Sequence, residues 1–249
     1  MELVNIDETL DDLQLKGIHI IQKKDGFRFG VDAVLLANFT KIKKNGTAID
    51  LCSGTGIIPF IIKGKSQCGS IYGIEIQKEF AEMANRTSSY NGFQDEVKFI
   101  EADLKDISFL KSLDRVDVVT VNPPYKLHNS GIINEKDKNA IARHEVCCKL
   151  EDVIVAARML LKDNGRFFMV HRPERIADIL TLMRKYKIEP KRIRFVHPKP
   201  GKAPNILLVE GQRDGGAFLK IEDPLYVHMD DDSYSPEIQA LYNSQCLHI

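Results

Sequence analysis

The stretch VNPPYK, residues 121–126, begins in the last residue of an apolar β-forming run, VDVVTV, at residues 116–121. Proline fixes its own φ angle and has no N–H donor, so two prolines in a row end a strand. Beside them, Asn122 offers an amide oxygen as an acceptor and Tyr125 offers a flat ring. The stretch is either a rigid turn, which Asn-Pro and Pro-Pro pairs favour, or a positioned acceptor and ring at the end of a buried strand.

A glycine turn lies earlier in the chain, in the run Asp50-Leu51-Cys52-Ser53-Gly54-Thr55-Gly56 after the strand-like segment TAIDLC. Glycines allow a backbone to approach a ligand closely, although a plain turn explains a lone G-x-G equally well. Pro59 stands where the dinucleotide fingerprint G-x-G-x-x-G needs its third glycine, and no Gly-Lys-Ser/Thr follows. The turn therefore favours neither an NAD site nor a P-loop.

Two acids follow at the ends of the next strand-like segments. Glu75 lies near the end of SIYGIEI, and Asp103 ends VKFIEAD. A carboxylate accepts hydrogen bonds, so Glu75 suits ribose hydroxyls and Asp103 suits an adenine amino group. Each acid alone is more often a surface residue. Together with Asp50 and the glycine turn, at the ends of successive strands, they form a more specific set that indicates a nucleoside ligand.

Strand-like and helix-like segments alternate through the middle of the chain. The segments rich in apolar and β-branched residues are 47–52, 70–76, 97–103, 116–122, 166–171, 192–198 and 205–211. The last two are too close together for a helical crossover, so we expect them to pair antiparallel at an edge of the sheet. The sequence predicts a doubly wound α/β fold with a mixed seven-stranded sheet and an antiparallel last strand. Such sheets bind ligands at the carboxyl ends of their strands.

This arrangement resembles the class I S-adenosylmethionine-dependent methyltransferases over roughly residues 45 to 211. The resemblance implies S-adenosyl-L-methionine as the cofactor, with Asp50 and the glycine turn beside its methionine part, Glu75 at the ribose and Asp103 at the adenine. The residues that the resemblance assigns to the cofactor within the sheet domain are Asp50, Cys52, Ser53, Gly54, Thr55, Gly56, Glu75, Ile76, Asp103, Leu104 and Asn122.

Residues 122–125, NPPY, resemble the motif of methyltransferases that act on planar amino groups. The lone pair of such an amine is delocalised, which makes it a poor nucleophile. The resemblance implies that Asn122 Oδ1 and the Pro123 carbonyl accept its hydrogens, that Pro124 keeps this carbonyl rigid, and that Tyr125 stacks on the acceptor. Catalysis would then consist of positioning and matched acceptors, and it needs no metal.

The segment FRFGVDAVLLANF, residues 27–39, resembles the tRNA-Val adenine-37 (6-amino) methyltransferase family, as do residues 142–145 and the turn HPKPGKAPN. The resemblance implies an adenine in the anticodon loop of tRNA as the acceptor. We expect Arg28 and Asp32 to face the cofactor and Phe29 to cover it. A guanine amine in ribosomal RNA and a glutamine side chain of a release factor are alternatives. The glutamine-modifying enzymes usually have a helical N-terminal domain, for which this chain has no room.

A basic stretch, residues 184–202, contains eight Lys and Arg and one acid. Lys199 and Lys202 in this stretch are candidates for contacts with RNA phosphates, although a solvated face explains the charge equally well. The polar loop 126–143 is expected to be a substrate lid. His128 is expected to be an exposed loop residue, and His144 to support the following helix.

Composition limits the remaining choices. The chain has 249 residues, of which 43% are hydrophobic and 28% charged, with a net charge of zero. No apolar run approaches the roughly 20 residues needed to cross a membrane, and the acidic N-terminus is unlike a signal peptide. The five cysteines lack C-x-x-C spacing, which favours a reducing cytoplasm over disulfides or zinc. We expect a monomer without metal.

The expected division of the chain has three parts. Residues 1–44 would pack over the cofactor site, residues 45–213 would form the methyltransferase domain, and residues 214–249 would be a C-terminal appendage. A module that binds the cofactor or RNA without catalysis is the non-enzymatic alternative. The intact NPPY motif and the intact acids argue against it.

Overall fold

The computed structural model describes residues 3–25, 28–124 and 148–246, with side chains in the last helix described through residue 241. The β-strands are β1 Glu8–Asp12, β2 His19–Lys23, β3 Ala48–Leu51, β4 Ile71–Glu75, β5 Val97–Glu101, β6 Val116–Val121, β7 Leu161–His171, β8 Ile188–His197, β9 Ile206–Arg213, β10 Lys220–Ile221 and β11 Leu225–Tyr226. The α-helices are α1 Val31–Phe39, α2 Ile57–Lys65, α3 Lys78–Tyr90, α4 Ile107–Ser112, α5 Leu150–Leu160, α6 Ile176–Lys185 and α7 Pro236–Cys246, and a 3-10 turn spans Pro173–Arg175.

The main sheet has the strand order β10-β8-β9-β7-β6-β3-β4-β5, and β11 also pairs with β8. Strands β5, β4, β3, β6 and β7 are mutually parallel, whereas β9 is antiparallel to both β7 and β8. All seven predicted strands form, and the predicted doubly wound fold with an antiparallel last strand is confirmed. The last strand lies between β7 and β8. The two-residue strands β10 and β11 extend the sheet beyond β8.

Two apolar clusters cover the two faces of the sheet. One cluster contains buried residues of α1, α2 and α3, with Leu36, Phe60 and Phe168 among its fully buried side chains. The other contains buried residues of α4, α5 and α6, with Phe167 fully buried. Because both faces of the central strand β6 are covered, its sequence VDVVTV reads as an almost continuous apolar run.

The segment before β3 forms a hairpin and a helix, of which the hairpin was not predicted. Strands β1 and β2 pair antiparallel, and the hairpin packs against α3. The buried carboxylate of Glu8 accepts two hydrogen bonds of 2.7 Å from Arg86 of α3. The backbone N–H of Ile21 donates to Thr87 Oγ1 at 3.0 Å. The hairpin is therefore fixed to the outer helix layer, and α1 is the part of this segment that approaches the carboxyl ends of the strands.

Candidate functional site

The strand register brings the predicted site residues to one edge of the sheet. Leu51 of β3 lies opposite Val121 of β6 and opposite Ile74 of β4. The glycine turn therefore begins level with Asn122 on one side and with Glu75 on the other. This neighbourhood follows from the parallel pairing, because the carboxyl ends of parallel strands share an edge.

The glycine turn has a left-handed backbone at three positions. The φ angles are 55° at Cys52, 54° at Gly54 and 86° at Gly56. A side chain at Gly56 would place its Cβ 2.4 Å from the ring of Phe99, so this position requires glycine for space as well as for conformation. Cys52 is a non-glycine residue held in a costly conformation, which is a recurring property of functional turns.

Asp50 lies underneath the turn and is 1% exposed. Its Oδ1 accepts a 2.6 Å hydrogen bond from the Thr120 hydroxyl, and its Oδ2 accepts one of 2.7 Å from the Ser53 hydroxyl. Burial raises the pKa of Asp50 to about 7, against the lowering effect of these two hydroxyl donors, and the neighbouring Glu75 raises it further. The predicted cofactor residues Asp50 and Ser53 are thus hydrogen-bonded to each other, and their contacts connect the turn to β6.

Glu75 connects the ends of two strands. Its Oε2 accepts a 2.9 Å hydrogen bond from the backbone N–H of Gly54, and its Oε1 accepts one of 2.9 Å from the N–H of Gln77. Gln77 Nε2 also donates to Oε1, at 3.4 Å. A carboxylate has about four acceptor positions, so these three bonds leave capacity for at least one ribose hydroxyl. The next residue, Ile76, keeps 42% of its surface exposed, which leaves an apolar side chain directly beside this carboxylate.

Asp103 lies two residues beyond β5, which ends earlier than the sequence predicts. Its Oδ1 accepts a 2.9 Å hydrogen bond from the Lys105 N–H, and the Lys105 ammonium lies 3.6 Å from Oδ2. The side chain is 39% exposed at the same edge as Glu75. The neighbouring Leu104 is 7% exposed and packs in the core, so it supports the loop from below.

Asn122 and Pro123 directly follow β6, and Pro123 is buried. The Asn122 Nδ2 donates a 3.1 Å hydrogen bond to Asp32 Oδ2. The sequence assigned Asp32 to the cofactor, and its contact with Asn122 was not foreseen because 90 residues separate them. Tyr125 lies outside the described residues, as do the predicted lid 126–143 and the histidines at 128 and 144.

The residues before α1 have contacts of their own. Arg28 forms an ion pair with Asp11 of the hairpin. Phe29 is partly buried against the cluster that contains α1, and its N–H lies 3.4 Å from Gln22 Oε1. The expectation that Arg28 faces the cofactor and that Phe29 covers it stays a prediction.

A pair of thiols lies at the start of the glycine turn. A hydrogen bond with Cys148, together with burial, raises the pKa of the Cys52 thiol well above its usual value. The acids Glu75 and Asp50 raise it further because they repel a thiolate. Cys52 is therefore a neutral thiol at neutral pH, which excludes it as an ionised nucleophile.

The two lysines proposed for RNA lie in the turn between β8 and β9. Lys199 forms an ion pair of 2.5 Å with Asp232, whose side chain is 78% exposed. Lys202 is exposed, and its backbone carbonyl lies 2.6 Å from His197 Nδ1. The antiparallel turn from β8 to β9 is at the same edge of the sheet as Asn122, because β9 is antiparallel to β7.

The sequence reasoning missed His171, the last residue of β7. The β6–β7 register pairs Val121 with Met169, which brings His171 level with Pro123. Burial lowers the pKa of His171 to about 4, and the positive charge of Arg175 adds to this effect. Its Nδ1 accepts a 2.8 Å hydrogen bond from the Arg172 N–H. The signal in the sequence is its position at the end of the strand-like run RFFMVH.

The described residues fit a bound adenosyl cofactor in their donor and acceptor pattern. Thr55 Oγ1 is buried in the glycine turn without a hydrogen-bond partner among these residues. The left-handed turn, the acceptor Glu75 and the exposed Ile76 all lie at the carboxyl edge of the sheet. Within the described ranges, no group of His, Cys, Asp and Glu is arranged to hold a metal ion. No helix there is long and apolar enough to cross a membrane.

Curated relatives cover almost the whole chain. A Porphyromonas gingivalis W83 protein named tRNA1(Val) (adenine(37)-N6)-methyltransferase is 29% identical over 240 residues, which are 93% of each chain. A Bacteroides thetaiotaomicron protein of the same name is 25% identical and covers 95% of this chain and 97% of its own. These names agree with the resemblance inferred from NPPY and residues 27–39.

A solved structure supports the fold. An Agrobacterium tumefaciens protein described as a predicted O-methyltransferase superposes with a TM-score of 0.69 at 22% identity, over 87% of this chain and 98% of its own. The family model described as "Methyltransferase domain" matches residues 42–196, which is more than half of the chain. With its fold and the matched region in agreement, the chain belongs to the methyltransferase domain family.

Proposed function

We propose that this protein transfers a methyl group from S-adenosyl-L-methionine to the exocyclic 6-amino group of an adenine in tRNA, at adenine 37 beside the anticodon. The observation that carries the proposal is the position of Asn122 and Pro123, which follow β6 directly beside the glycine turn of β3. The names of the curated relatives support the choice of tRNA adenine.

The cofactor, when bound, supplies an activated methyl group on its sulfonium. The chain's own residues orient it, with Glu75 as the acceptor for ribose hydroxyls and Asp103 as the acceptor for the adenine amine. The left-handed backbone between Cys52 and Gly56 allows close approach of the methionine part. Ile76 supplies an apolar contact for the adenine ring.

Asn122 Oδ1 and the Pro123 carbonyl accept the two hydrogens of the acceptor amine. Two acceptors draw the N–H bonds out of the ring plane, which returns lone-pair density to the nitrogen. They also stabilise the positive charge that develops as the new N–C bond forms. Tyr125 stacks on the adenine and aligns it, and the surplus proton leaves to water. The residues therefore act by positioning and by matched acceptors.

The direct test is methyl transfer from radiolabelled S-adenosylmethionine to purified tRNA that lacks its own modification. The labelled nucleosides are then identified by digestion and mass spectrometry. Label in 6-methyladenosine at position 37 is the expected result, and Asn122→Ala should reduce it by orders of magnitude. No label in tRNA, with label in ribosomal RNA or in a release factor offered in parallel, would overturn the choice of acceptor.

The non-enzymatic alternative has a separate test. If the protein acted only by binding the cofactor or RNA, Asn122→Ala would leave its cellular role intact. We expect the opposite, namely that cells with Asn122→Ala lack the modification as completely as cells without the gene. Equal complementation by the wild type and by Asn122→Ala would support a binding module.

The proposed setting is a monomer in the cytoplasm that docks the anticodon loop. Bases in such a loop are already partly unstacked, so extruding one costs little. Lys199 and Lys202, at the same edge as Asn122, are the proposed contacts with phosphates. Asp232 is highly exposed, so exchanging its ion pair with Lys199 for a phosphate costs little. The free thiols Cys52, Cys68 and Cys148 suit a reducing compartment.

A further inference from the structure

The side-chain amide of Asn122 is held from one end. Its Nδ2 donates to Asp32 Oδ2 at 3.1 Å, and Asp32 belongs to the first turn of α1. Among the described residues, no donor is hydrogen-bonded to Asn122 Oδ1. The contact joins the segment before the sheet to the strand end that carries the proposed acceptor oxygen.

An ionised carboxylate only accepts hydrogen bonds, whereas a primary amide has a donor end and an acceptor end. With Asp32 on one side, only one of the two flipped orientations of the Asn122 amide is favourable. The other orientation would place two oxygens against each other. The carboxylate therefore selects the rotamer in which Nδ2 faces Asp32 and Oδ1 faces away from it.

Asp32 is itself held in place. Its Oδ1 accepts a 2.9 Å hydrogen bond from the Ala33 N–H in the first turn of α1, where the helix dipole favours a negative charge. The preceding Gly30 makes room for this arrangement, because a Cβ at that position would lie 2.6 Å from Asp32 Oδ1. Gly30 has φ −98°, which other residues adopt freely, so backbone conformation alone does not require glycine there.

We propose that Asp32 is a positioning residue that holds the Asn122 amide with Oδ1 directed at the acceptor amine, and that Gly30 preserves the space for its carboxylate. The inference rests on the proposed function of Asn122 as a hydrogen-bond acceptor in catalysis. It differs from the sequence-based expectation that Asp32 faces the cofactor, and that expectation becomes one outcome of the test.

The kinetic test is a double-mutant cycle with Asp32→Ala, Asn122→Ala and the combined variant, measured in single turnovers on tRNA. Cofactor binding is measured separately by calorimetry with S-adenosylhomocysteine. We expect Asp32→Ala to slow methyl transfer about 10- to 100-fold, as a misplaced acceptor does, with dissociation constants within about twofold of wild type. In the Asn122→Ala background, Asp32→Ala should have no further effect.

Gly30→Ala is a second variant, in which the side chains of Asp32 and Asn122 are both still present. It should slow methyl transfer by displacing the Asp32 carboxylate, again with unchanged binding of S-adenosylhomocysteine. The matched control is Glu82→Ala, which removes an exposed carboxylate from α3 and should match wild type. If Asn122→Ala leaves no measurable product, Gly30→Ala decides the question.

A tenfold weaker binding of S-adenosylhomocysteine in Asp32→Ala would assign Asp32 to the cofactor and overturn the proposal. Wild-type rates in both Asp32→Ala and Gly30→Ala would also overturn it. An NMR readout works without activity: the Asn122 side-chain NH2 signal, assigned by its loss in Asn122→Ala, should shift in Asp32→Ala. A further outcome is that wild type leaves tRNA unlabelled while this signal shifts as expected. In that case the assignment of tRNA as the methyl acceptor is wrong, whereas the contact between Asp32 and Asn122 is supported.

Discussion

Glu75 Oε2 accepts a 2.9 Å hydrogen bond from the backbone N–H of Gly54, so the acid at the end of β4 holds the glycine turn that follows β3. Its second oxygen accepts from the Gln77 N–H at the start of α3. One carboxylate therefore fixes the backbone on both sides of the proposed ribose position. The residue that would bind the cofactor also shapes the turn that approaches it.

Glu75→Gln should weaken both the hydrogen bonding that holds the glycine turn and the binding of the cofactor. A glutamine replaces one acceptor oxygen by a donor, so one of the two backbone N–H groups faces an amide nitrogen. Leaving one of these partly buried donors unpaired lowers the free energy of unfolding by about 1 kcal/mol, the low end of the cost for a buried donor. Calorimetry should also show binding of S-adenosylmethionine weakened at least tenfold.

Glu101→Gln is the matched control for this variant. Glu101 is the register partner of Glu75 on β5 and is exposed, so the same chemical change should leave stability and binding near wild type. Equal behaviour of the two variants would remove Glu75 from the proposed site.

Asp50→Asn should change how stability depends on pH. The pKa of Asp50 is raised to about 7 by burial, whereas the carboxyl of the unfolded chain ionises near its ordinary pKa of 3.8. The stability contributed by the protonated group is therefore fully present below about pH 4 and is lost as the pH rises through about 7. The stability difference between wild type and Asp50→Asn should fall over this range by at most about 1.4 kcal/mol per pH unit.

Urea unfolding of both proteins at pH 5, 6, 7 and 8 measures this difference. The comparison cancels His171, whose lowered pKa acts in the opposite direction and removes stability as the pH falls below about 6.5. The hydroxyls of Ser53 and Thr120 can rotate to accept from an asparagine, so the variant should fold. A difference that stays constant from pH 5 to pH 8 would contradict the raised pKa.

Gly56→Ala should be more damaging than a typical glycine substitution. Its φ of 86° costs a non-glycine residue about 1–2 kcal/mol, and the overlap with Phe99 at 2.4 Å adds a packing cost of about 1–3 kcal/mol. Gly92→Ala is the matched control, because Gly92 has φ 72° and open space around its missing side chain. Thermal unfolding should show the larger loss at Gly56, and equal losses would remove the role given to Phe99.

The charge-reversal pair Lys199→Glu with Lys202→Glu should weaken tRNA binding at least tenfold at low salt. It should also reduce the slope of log affinity against log salt by about 1 to 2, because two phosphate contacts are lost. Lys43→Glu with Lys44→Glu makes the same change in net charge on exposed residues before β3, at the opposite edge of the sheet. Filter binding that shows equal effects for the two pairs would indicate a purely global charge effect.

Much of the fold could be predicted from local sequence patterns. Apolar runs separated by amphipathic segments predict parallel strands joined by helices, and all seven expected strands form. The hairpin of β1 and β2 was missed because its stability comes from contacts with α3, such as Glu8 with Arg86, which no local pattern reports. The strands β10 and β11 have two residues each and exist only through pairing with β8.

The features of the candidate site can also be separated into those that the local sequence predicts and those that it does not. Several residue types near the strand ends can be read from the sequence, because each lies within or shortly after an apolar run: Asp50, the glycine turn, Glu75, Asp103 and Asn122. Their chemistry as acceptors is a property of the side chains themselves. The sequence by itself therefore determined which groups meet at the carboxyl edge of the sheet, since parallel pairing brings successive strand ends together.

Only the tertiary structure decided what these groups do to one another. The pKa of Asp50 depends on its complete burial, and the contact of Asn122 with Asp32 depends on how α1 packs against the sheet. Hydrogen bonds and burial join residues that are distant in the chain, so their effects arise from three-dimensional packing. The local spacing of residues in the sequence therefore does not predict these effects.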